Sequence, residues 1–536
     1  MLRSESDCTS DYTTDPMLQS YQIMTNLEIA KLLRKMAAAY KVLKENRFKV
    51  VAYENAATSV EHATSELKDL WDDGKLDSIP GLGPSITSHL DEIFKTGHSK
   101  HIDQTLNKVK PEVLEKIDKK FAKERRMTLP EADGIAEEII AYLSEKVEKL
   151  GSLRRQVATI GDIDLAVATN EPEKNLEKFV NFPQKTAIIE KGPKGASILL
   201  GGGRQVDLRV AKPEEYGAML QYFTGSKYHN IKLRELALKK HLTLNEYGIN
   251  KKTFRTEKEL YNFLGLDYIP PELREDNGEI QAASEHKLPK LVELKDIKGD
   301  LQTHSNFDLE TSHDSGANSI EEMQTEAKKL GYEYIAMTNH NPSSKTDILG
   351  KIKAQSIYIE KLNSSTKSVR ILNLLEMDIK PDGNVPVPSE SLNFLDGCLV
   401  SIHSSFNLDK DKMTERVLQG LSNPVARIFA HPTGRLLNKR EGYELNWDKI
   451  FAFCLEHNKA LEINAYPERL DLPDILVREA VKKNVLLSLG TDSHQKEDLV
   501  NMKYGVAVAR RGWAEEKNII NTWNYDKILN WMRERR

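Results

Sequence analysis

Three aspartates in two short apolar segments constrain the fold of this chain most strongly. Asp162 and Asp164 stand in GDIDLAVAT, and Asp207 stands in QVDLRV. Because side chains alternate along a strand, Asp162 and Asp164 are predicted to share one face, and a neighbouring strand at 205–210 can bring Asp207 beside them. Carboxylates crowded in this way repel one another unless a divalent cation lies among them, and their oxygens suit Mg²⁺. A lone D-x-D is more typical of a solvated turn, so the surrounding residues decide between the two interpretations.

The length and composition limit the class of protein. The 536 residues are too many for one hydrophobic core, which predicts three or four domains. There is no apolar run of about 18 residues, so we expect no membrane-spanning helix. Residues 1–20 are polar, which favours a disordered tail over a secretion signal. Cys8, Cys398 and Cys454 lie far apart, which excludes a disulfide framework and a zinc knuckle and predicts a cytoplasmic protein.

Residues 21–104 are predicted to form a small helical domain, because apolar residues recur there at helical spacing. Within it, the segment SIPGLGPSITSHLDEIF places Gly81 and Gly83 directly before an apolar-periodic helix. Glycines let the backbone approach a ligand closely, and the free N–H groups of a helix start can hold a phosphate. The segment is similar to a helix-hairpin-helix motif, and a simple tight turn is the alternative.

The rest of the chain alternates helix and strand signals in two stretches. After a charged segment at 105–130, helices are predicted at 131–149, 214–223 and 231–241, and strands at 162–167, 187–190, 196–200 and 205–210. The polar segment 270–296, which contains Pro270-Pro271, is predicted to be a linker. From 297 to 536, roughly seven short apolar strands alternate with amphipathic helices, a pattern typical of a closed (β/α) barrel.

Two further motifs flank the aspartates. Gly151-Ser152 and Arg155 precede them: a glycine admits a phosphate to the backbone, a serine hydroxyl bonds it, and an arginine pairs with it through two N–H groups. The segment Tyr222-Phe-Thr-Gly-Ser226 follows Asp207, and its aromatic rings can stack on a base or a sugar. Each motif alone is ordinary loop chemistry, but their order favours a site for nucleotidyl transfer.

The same motifs carry a family resemblance. Residues 21–268 resemble the family X DNA polymerases of the nucleotidyltransferase superfamily, through GSLRRQVATIGDIDLAV, QVDLRV and YFTGSKYHNIKLRELALKKHLTLNEYGI. The resemblance implies a multidomain α+β and α/β protein. Its parts would be a helix-hairpin-helix domain at 21–104, a shortened fingers region or linker at 105–130, a palm at 131–213 and a small thumb at 214–269.

The resemblance also implies roles for individual residues. Asp162, Asp164 and Asp207 would bind two Mg²⁺ ions, and Asp207 would assist the primer 3′-hydroxyl. The residues that would bind the deoxynucleoside triphosphate are Gly151, Ser152, Arg155, Gly161, Tyr222, Phe223, Gly225 and Asn230. The residues that would contact DNA are Gly81, Gly83, Arg209, Arg234 and Glu246. The second helix-hairpin-helix and the fingers of the bacterial family members have no counterpart in the short segment 105–130, which predicts a weak grip on the primer-template duplex.

Histidines and carboxylates close most of the apolar strands in the C-terminal half, residues 297–536. The strand ends of an α/β barrel meet at one face, and imidazole with carboxylate suits Mn²⁺, Zn²⁺ or iron. One histidine at a strand end is more often structural, but the repeated placement favours a metal cluster. The candidate ligands are His304, Asp314, His340, Glu376, His403, His431, Asp492 and His494.

The C-terminal half resembles the PHP (polymerase and histidinol phosphatase) domains. The resemblance implies hydrolysis of phosphate esters, and a 3′–5′ exonuclease when such a domain is joined to a family X polymerase. Gln302 and Asn339 stand where the family has histidine and aspartate, and neutral amides are weaker ligands. The insertion DLETSH after His304 leaves open whether Asp314 or Asp308 is a ligand. We expect two or three Mn²⁺ or Zn²⁺ ions.

Together the two halves predict a DNA repair enzyme, a template-directed polymerase for short gaps with a metal-dependent 3′–5′ exonuclease or phosphoesterase. The expected partners are gapped or 3′-ended DNA and deoxynucleoside triphosphates, with no membrane, and the expected state is a monomer. Two alternatives stay open. The polymerase half could mainly dock DNA ends for the phosphoesterase, or the protein could be a non-catalytic scaffold at DNA ends.

Overall fold

The computed structural model divides the chain into two compact units, residues 1–124 and residues 125–536. The residues that it describes are 24, 26–61, 67–72, 74–76, 79, 82–110, 113, 126–311, 313–366 and 368–534. The predicted tail at 1–20, Gly81 and most of the segment 105–130 lie outside the described residues. Among the helices that the structure describes, none is long and apolar enough to cross a membrane.

The first unit is helical. Apolar residues at helical spacing, such as Ile29, Leu33 and Leu90, are fully buried in its core. Gly83 lies in an extended conformation directly before Pro84, which starts a helix that ends at Gly97 in the left-handed region. The described helices are Asn26–Val42, Arg47–Glu61, Leu67–Asp72, Pro84–Thr96 and Lys100–Leu106. A helix therefore starts directly after Gly83, as the PGLG segment predicts.

The second unit begins with a five-stranded sheet in the region of the predicted palm. The strand order is Val147–Lys149, Ile163–Ala168, Arg204–Ala211, Gly195–Leu200 and Lys185–Gly192. The second and third of these strands are parallel and pair Asp164 with Asp207. Alternate residues such as Ile163, Leu165 and Leu208 are buried in the apolar core. The helices Leu129–Leu143 and Pro172–Val180 contribute to the same core, so Asp164 and Asp207 lie on the other face of the sheet.

The helix that the sequence predicts at 131–149 is shorter in the structure. It ends at Leu143, and Ser144 follows with a left-handed φ of 56°. Residues Val147–Lys149 instead form an edge strand that pairs antiparallel with Ile163–Ala168. The apolar positions of this segment fit both the helical period and the strand period. The pairing with the neighbouring strand favours the strand.

The region after the sheet is mainly helical and continues past the predicted thumb. Its helices are Tyr216–Thr224, Lys227–Lys239, Glu257–Phe263 and Glu279–Ser284, with a small hairpin of Leu244–Asn245 and Gly248–Ile249. The predicted linker 270–296 is folded: Leu273, Arg274 and Glu279 are fully buried. Arg274 pairs with Glu257 at 2.6 Å, and Glu279 pairs with His229 at 2.7 Å. Polar residues that predict a linker here, such as Arg274 and Glu279, therefore form buried ion pairs.

The C-terminal half consists of parallel strands that alternate with helices. One sheet contains Gly299–Thr303, Tyr334–Met337 and Arg370–Asn373, and the other contains Glu376–Asp378, Cys398–Ser401, Ala426–Phe429, Ala460–Asn464 and Leu486–Gly490. The long helices are Ile320–Lys329, Ile348–Ser365, Lys410–Leu421, Trp447–Glu456, Asp474–Lys482, Met502–Arg511 and Tyr525–Arg533. Isolated bridges join Thr303 to Ser493 and His340 to Glu376. The α/β class is confirmed, and closure into a barrel stays a prediction.

The C-terminal half packs directly on the predicted palm. Asp133, in the helix Leu129–Leu143, accepts hydrogen bonds from Lys503 at 2.9 Å and Tyr504 at 3.0 Å, and it also pairs with Lys149. The apolar core runs without a break from the palm into the C-terminal half. The helix Met502–Arg511 is therefore attached to the polymerase-like region by both charge and apolar contact.

The buried carboxylate of Glu257 predicts a pH-dependent part of the stability. Burial opposes its ionisation, but Arg274 and Arg154 outweigh this and lower the pKa of Glu257 to about 2. Since the ordinary pKa is 4.5, the stabilisation is complete above pH 4.5 and is lost as the pH falls towards 2. Glu257→Gln should cost about 3 kcal/mol at pH 7, because two buried arginines lose their anion.

Urea denaturation followed by circular dichroism between pH 7 and pH 3.5 measures this cost. The difference between Glu257→Gln and the unaltered protein should shrink below pH 4.5. Glu285→Gln is the control, because Glu285 pairs with Lys287 at the surface and its loss should change the midpoint little. An equal effect of the two substitutions, or a Glu257→Gln cost that does not change with pH, would contradict the assignment.

Candidate active sites

The predicted palm brings its three aspartates together. The carboxylate oxygens of Asp162, Asp164 and Asp207 lie within 4.8 Å of one another. Asp207 is buried, Asp164 is half-buried and Asp162 is exposed, so the group opens from the sheet towards solvent. Gln205 donates to both oxygens of Asp207 at 2.9 Å, and the hydroxyl of Ser197 donates to one of them. Two side-chain donors thus hold Asp207 in place.

The electrostatics of this group favour a cation. Burial raises the pKa of Asp207 to about 6, and the neighbouring charge of Asp162 adds to the effect. Burial, Asp162 and Asp207 likewise raise the pKa of Asp164 well above its ordinary value. Three carboxylates in one place are costly when ionised, and a divalent cation would remove this cost. The donor set consists of oxygens alone and fits a hard cation such as Mg²⁺.

The predicted phosphate-binding segment lies directly against the aspartates. The helix Gly151–Arg154 begins with Gly151 at a φ of 54°, and a Cβ atom at this position would overlap the Oδ2 atom of Asp164. A glycine is required there by both the backbone conformation and the close approach. Ser152 follows it. Gly161 directly precedes Asp162, and a Cβ atom added at Gly161 would lie 3.4 Å from Nη1 of Arg126.

Arg155 is engaged by protein groups in this structure. Its Nε pairs with Glu275 at 3.0 Å, and its Nη1 donates to the carbonyl oxygen of Thr224 at 2.6 Å. Its neighbour Arg154 donates to Thr224 and pairs with Glu257. The predicted triphosphate arginine therefore lies against the Tyr222–Ser226 segment.

The aromatic segment has cations on its faces. The guanidinium of Arg209 lies 4.5 Å from the ring centre of Phe223, and that of Arg234 lies 5.4 Å from the ring centre of Tyr222. The amide of Asn230 donates to the carbonyl oxygen of Tyr222 at 2.7 Å and accepts from Gln221 at 2.8 Å. The predicted contact of Asn230 with a base would require these bonds to be exchanged.

Gly225, Glu246 and Gly83 are the predicted residues that remain. Gly225 ends the helix Tyr216–Thr224, and a Cβ there would lie 3.2 Å from Nη1 of Arg155. Glu246 is half-buried between the two short strands of the hairpin. Gly83 belongs to the first unit. These positions stay predictions as contacts to nucleotide or DNA.

The C-terminal half gathers its predicted ligands around one carboxylate, Glu376. His431 bonds Glu376 at 2.9 Å, and His304, His340 and His403 each approach it at 3.5 Å. A second group of ligands extends outward from His304, which bonds Asp492 at 3.0 Å and stacks on His494 with ring centres 4.3 Å apart. All eight predicted ligands therefore lie in one cluster once Asp314 is included.

Geometry separates the two rival aspartates of the insertion. The carboxylate of Asp314 lies 3.4 Å from His494 and 3.7 Å from His340. Asp308 instead pairs with Lys351 at 2.9 Å, with its side chain 78% exposed. A Cβ at Gly316 would overlap the backbone of His304, so the insertion folds back tightly enough to return Asp314 to the cluster.

Buried polar atoms in this cluster fit a metal. Several of them have no hydrogen-bond partner among the described residues: Nδ1 of His304, His340 and His431, Nε2 of His494, and Oε2 of Glu376. Buried polar atoms are normally hydrogen-bonded, so imidazole nitrogens that lack a hydrogen bond and surround a carboxylate fit the ligands of a metal ion. Burial lowers the pKa of His340 to about 3, which keeps the imidazole neutral, the form that binds a metal.

Gln302 and Asn339, which differ from the family pattern, both bond protein groups, and among the described residues Nε2 of Gln302 has no hydrogen-bond partner. The amide oxygen of Gln302 accepts from Asn464 at 3.2 Å, and Asn339 bonds the backbone of Ser305 and the side chain of Gln355. These amides brace the cluster through its backbone and neighbours. This arrangement supports a cluster with fewer charged ligands than the PHP pattern implies.

Sequence reasoning missed four residues beside the cluster. Asp378 accepts from His403 at 2.6 Å and from His313 at 2.8 Å, and Glu462 is fully buried and accepts from the backbone of His431. Arg469 lies 3.7 Å from Asp492. The alternation rule that joins Asp162 to Asp164 also predicts that Asp378 shares a face with Glu376, so the sequence carried a signal for this residue.

Comparison with known proteins places these sites in a family. A model for the DNA polymerase beta thumb matches residues 219–275, and a helix-hairpin-helix domain model matches residues 24–99. The repair DNA polymerase X of African swine fever virus is 32% identical over 26% of this chain and 86% of its own length. A probable phosphatase from Thermoanaerobacter is 24% identical over 44% of this chain and 95% of its own length.

One relative aligns with almost the whole chain. The DNA polymerase/3′–5′ exonuclease PolX of Bacillus subtilis is 33% identical over 93% of this chain and 97% of its own length. Similarity at this level extends along almost the whole of both proteins. The chain belongs to the bacterial family X DNA polymerases that carry a C-terminal PHP domain.

Proposed function

We propose that the protein is a DNA repair enzyme that fills short gaps by template-directed synthesis and trims 3′ ends at a second site. The observation that carries the proposal is the pairing of Asp164 with Asp207 across parallel strands, with Gly151 packed against Asp164. This geometry supports a metal site and a backbone approach for a triphosphate at the same place. The proposed partners are gapped DNA and deoxynucleoside triphosphates, and the proposed state is a cytoplasmic monomer.

In the polymerase site, each side chain has a proposed task. Asp162, Asp164 and Asp207 would hold two Mg²⁺ ions, which would activate the primer hydroxyl and neutralise charge on the leaving pyrophosphate. Asp207, fixed by Gln205, would orient the primer end. The predicted residues around it would bind the triphosphate, the sugar, the base and the duplex: Gly151, Ser152, Arg155, Gly161, Tyr222, Phe223, Gly225, Asn230, Arg209, Arg234 and Glu246.

In the PHP site, the chain would hold two or three ions of Mn²⁺ or Zn²⁺. Such ions supply a hydroxide and polarise the phosphodiester when bound. Glu376 and the imidazoles of His304, His340 and His431 would be among the residues that hold them. Arg469, 3.7 Å from Asp492, would pair with a phosphate oxygen of the DNA end.

A second candidate function follows from the occupied side chains of the nucleotide site. Arg155 and Asn230 are both bonded to protein groups, so a polymerase half that mainly docks DNA ends for the PHP site is the alternative. Synthesis requires the three aspartates, whereas docking of DNA ends does not.

Extension of a primer across a one-nucleotide gap, followed beside digestion of a 3′ end, separates the two functions. Asp207→Ala should reduce gap filling at least 1,000-fold, on the order of the loss for a group that acts in the transition state, and leave digestion intact. His403→Ala should do the reverse. His286→Ala is the control, because His286 is 72% exposed and pairs with Asp267 at the surface. Digestion without any gap filling by the unaltered protein would favour the docking alternative.

The two aspartates of the insertion provide a matched pair for the PHP site. Both are exposed at the surface, but Asp314 lies beside imidazoles and Asp308 beside a lysine. Asp314→Ala should weaken Mn²⁺ binding by about tenfold or more, in the range observed when a metal-site partner is lost. Asp308→Ala should leave binding unchanged. Isothermal titration of Mn²⁺ into the metal-free protein measures both, and equal affinities for the two variants would exclude Asp314 as a ligand.

A further inference from the structure

The C-terminal half reaches into the polymerase site through the last residue of the helix Met502–Arg511. The Nη1 atom of Arg511 donates to the carbonyl oxygen of Arg155 at 2.8 Å and to Glu275 at 2.9 Å. Its other nitrogens pair with Asp474 at 2.6 Å and 2.7 Å. The Arg511 side chain is only 8% exposed, so it is fixed between the two halves of the protein.

Glu275 is shared between two arginines. One of its oxygens, Oε1, accepts both from Nε of Arg155 at 3.0 Å and from Nη1 of Arg511 at 2.9 Å. Arg155 is the arginine proposed to hold the triphosphate. A carboxylate beside that arginine competes with a triphosphate for it and repels the triphosphate directly. The charge of Arg511 offsets this competition, because it pairs with the same oxygen.

The backbone bond has a second consequence. Arg155 follows directly on the helix Gly151–Arg154, whose first glycine packs against Asp164. The bond from Arg511 to the carbonyl oxygen of Arg155 therefore restrains the segment that carries Ser152. The Nη1 atom of Arg155 in turn lies against Thr224 and Gly225. Arg511 therefore bonds Arg155 where the segment Gly151–Arg155 meets the segment Tyr222–Ser226.

We propose that Arg511, a residue of the PHP half, is a positioning residue for the incoming nucleotide: it neutralises Glu275 and holds Arg155 in place for the triphosphate. This inference rests on the proposed polymerase function and extends it to a residue outside the polymerase half. It makes the PHP half a structural part of the nucleotide site. The hydrogen bonds of Arg511 run to Arg155, Glu275 and Asp474 rather than to the PHP ligands, so its effect is expected on nucleotide binding.

The affinity for nucleotide tests the proposal. Binding of dTTP with Mg²⁺ is measured on a one-nucleotide gapped duplex with template dA and a dideoxy-terminated primer, so no chemistry is needed. Arg511→Ala should raise the Kd for dTTP about tenfold or more, the range for loss of hydrogen bonds to a charged group. In gap filling on an unblocked primer, KM should rise by a similar factor with little change in kcat.

A second substitution distinguishes positioning from a general loss of structure. Glu275→Gln removes the competing charge, so in the double variant with Arg511→Ala it should restore most of the dTTP affinity. Arg510→Ala is the matched control: Arg510 lies in the same helix and pairs with Glu272 at 2.8 Å and with the backbone of Val292. It should leave the Kd for dTTP unchanged. Arg511→Lys, which keeps the charge, should fall between Arg511→Ala and the unaltered protein and serves if Arg511→Ala fails to fold.

Three results from the variants would overturn the proposal: an unchanged Kd for dTTP in Arg511→Ala, an equal rise in Arg510→Ala, or no recovery in the double variant. Failure of the polymerase function gives a different pattern. The unaltered protein would then bind dTTP on the blocked duplex but fail to extend the unblocked primer, and the Kd series would still decide the role of Arg511. Absence of dTTP binding by the unaltered protein would overturn the proposal itself.

Discussion

Electrostatic repulsion among clustered carboxylates is the constraint on which the rest of the molecule depends. The parallel strands of the palm place Asp164 opposite Asp207, and burial together with the neighbouring charges raises the pKa of both. Such a site is stable in its ionised form only with a cation. In the PHP half, imidazoles surround the buried carboxylate of Glu376 and lower its pKa against the effect of burial. One chain thus combines a candidate metal site whose donors are all oxygens with a second candidate site rich in imidazole nitrogens.

Charge pairs also hold the two halves in a fixed relation. Asp133 of the palm bonds the start of the helix Met502–Arg511. At the end of this helix, Arg511 bonds Arg155 and Glu275. The short 3₁₀ helix Lys496–Asn501 links the segment of Asp492 and His494 to this helix. The PHP half and the nucleotide segment are therefore joined by one rigid element, and neither site is structurally independent of the other.

Much of this organisation follows from sequence periodicity. The apolar alternation around Asp164 and Asp207 predicts the central strands, and the strands predicted at 196–200 and 205–210 lie within Gly195–Leu200 and Arg204–Ala211. The folded segment 270–296 was not predictable from composition, because buried ion pairs such as Glu257 with Arg274 look polar in a sequence. Sequence spacing could not choose between Asp314 and Asp308 as the candidate metal ligand. The choice depends on how the insertion after His304 folds back towards the cluster. The ion pair between Arg155 and Glu275 could not be predicted either, because the two residues lie far apart in the sequence.

The central claim is that one rigid body carries two metal centres with different donor sets. An anomalous difference map from crystals of the full-length protein grown with Mn²⁺ tests this most directly. The account predicts a peak among Asp162, Asp164 and Asp207 and at least two peaks around Glu376. The absence of a peak at the three aspartates, or peaks around Glu376 that none of its neighbouring imidazoles contacts, would contradict it.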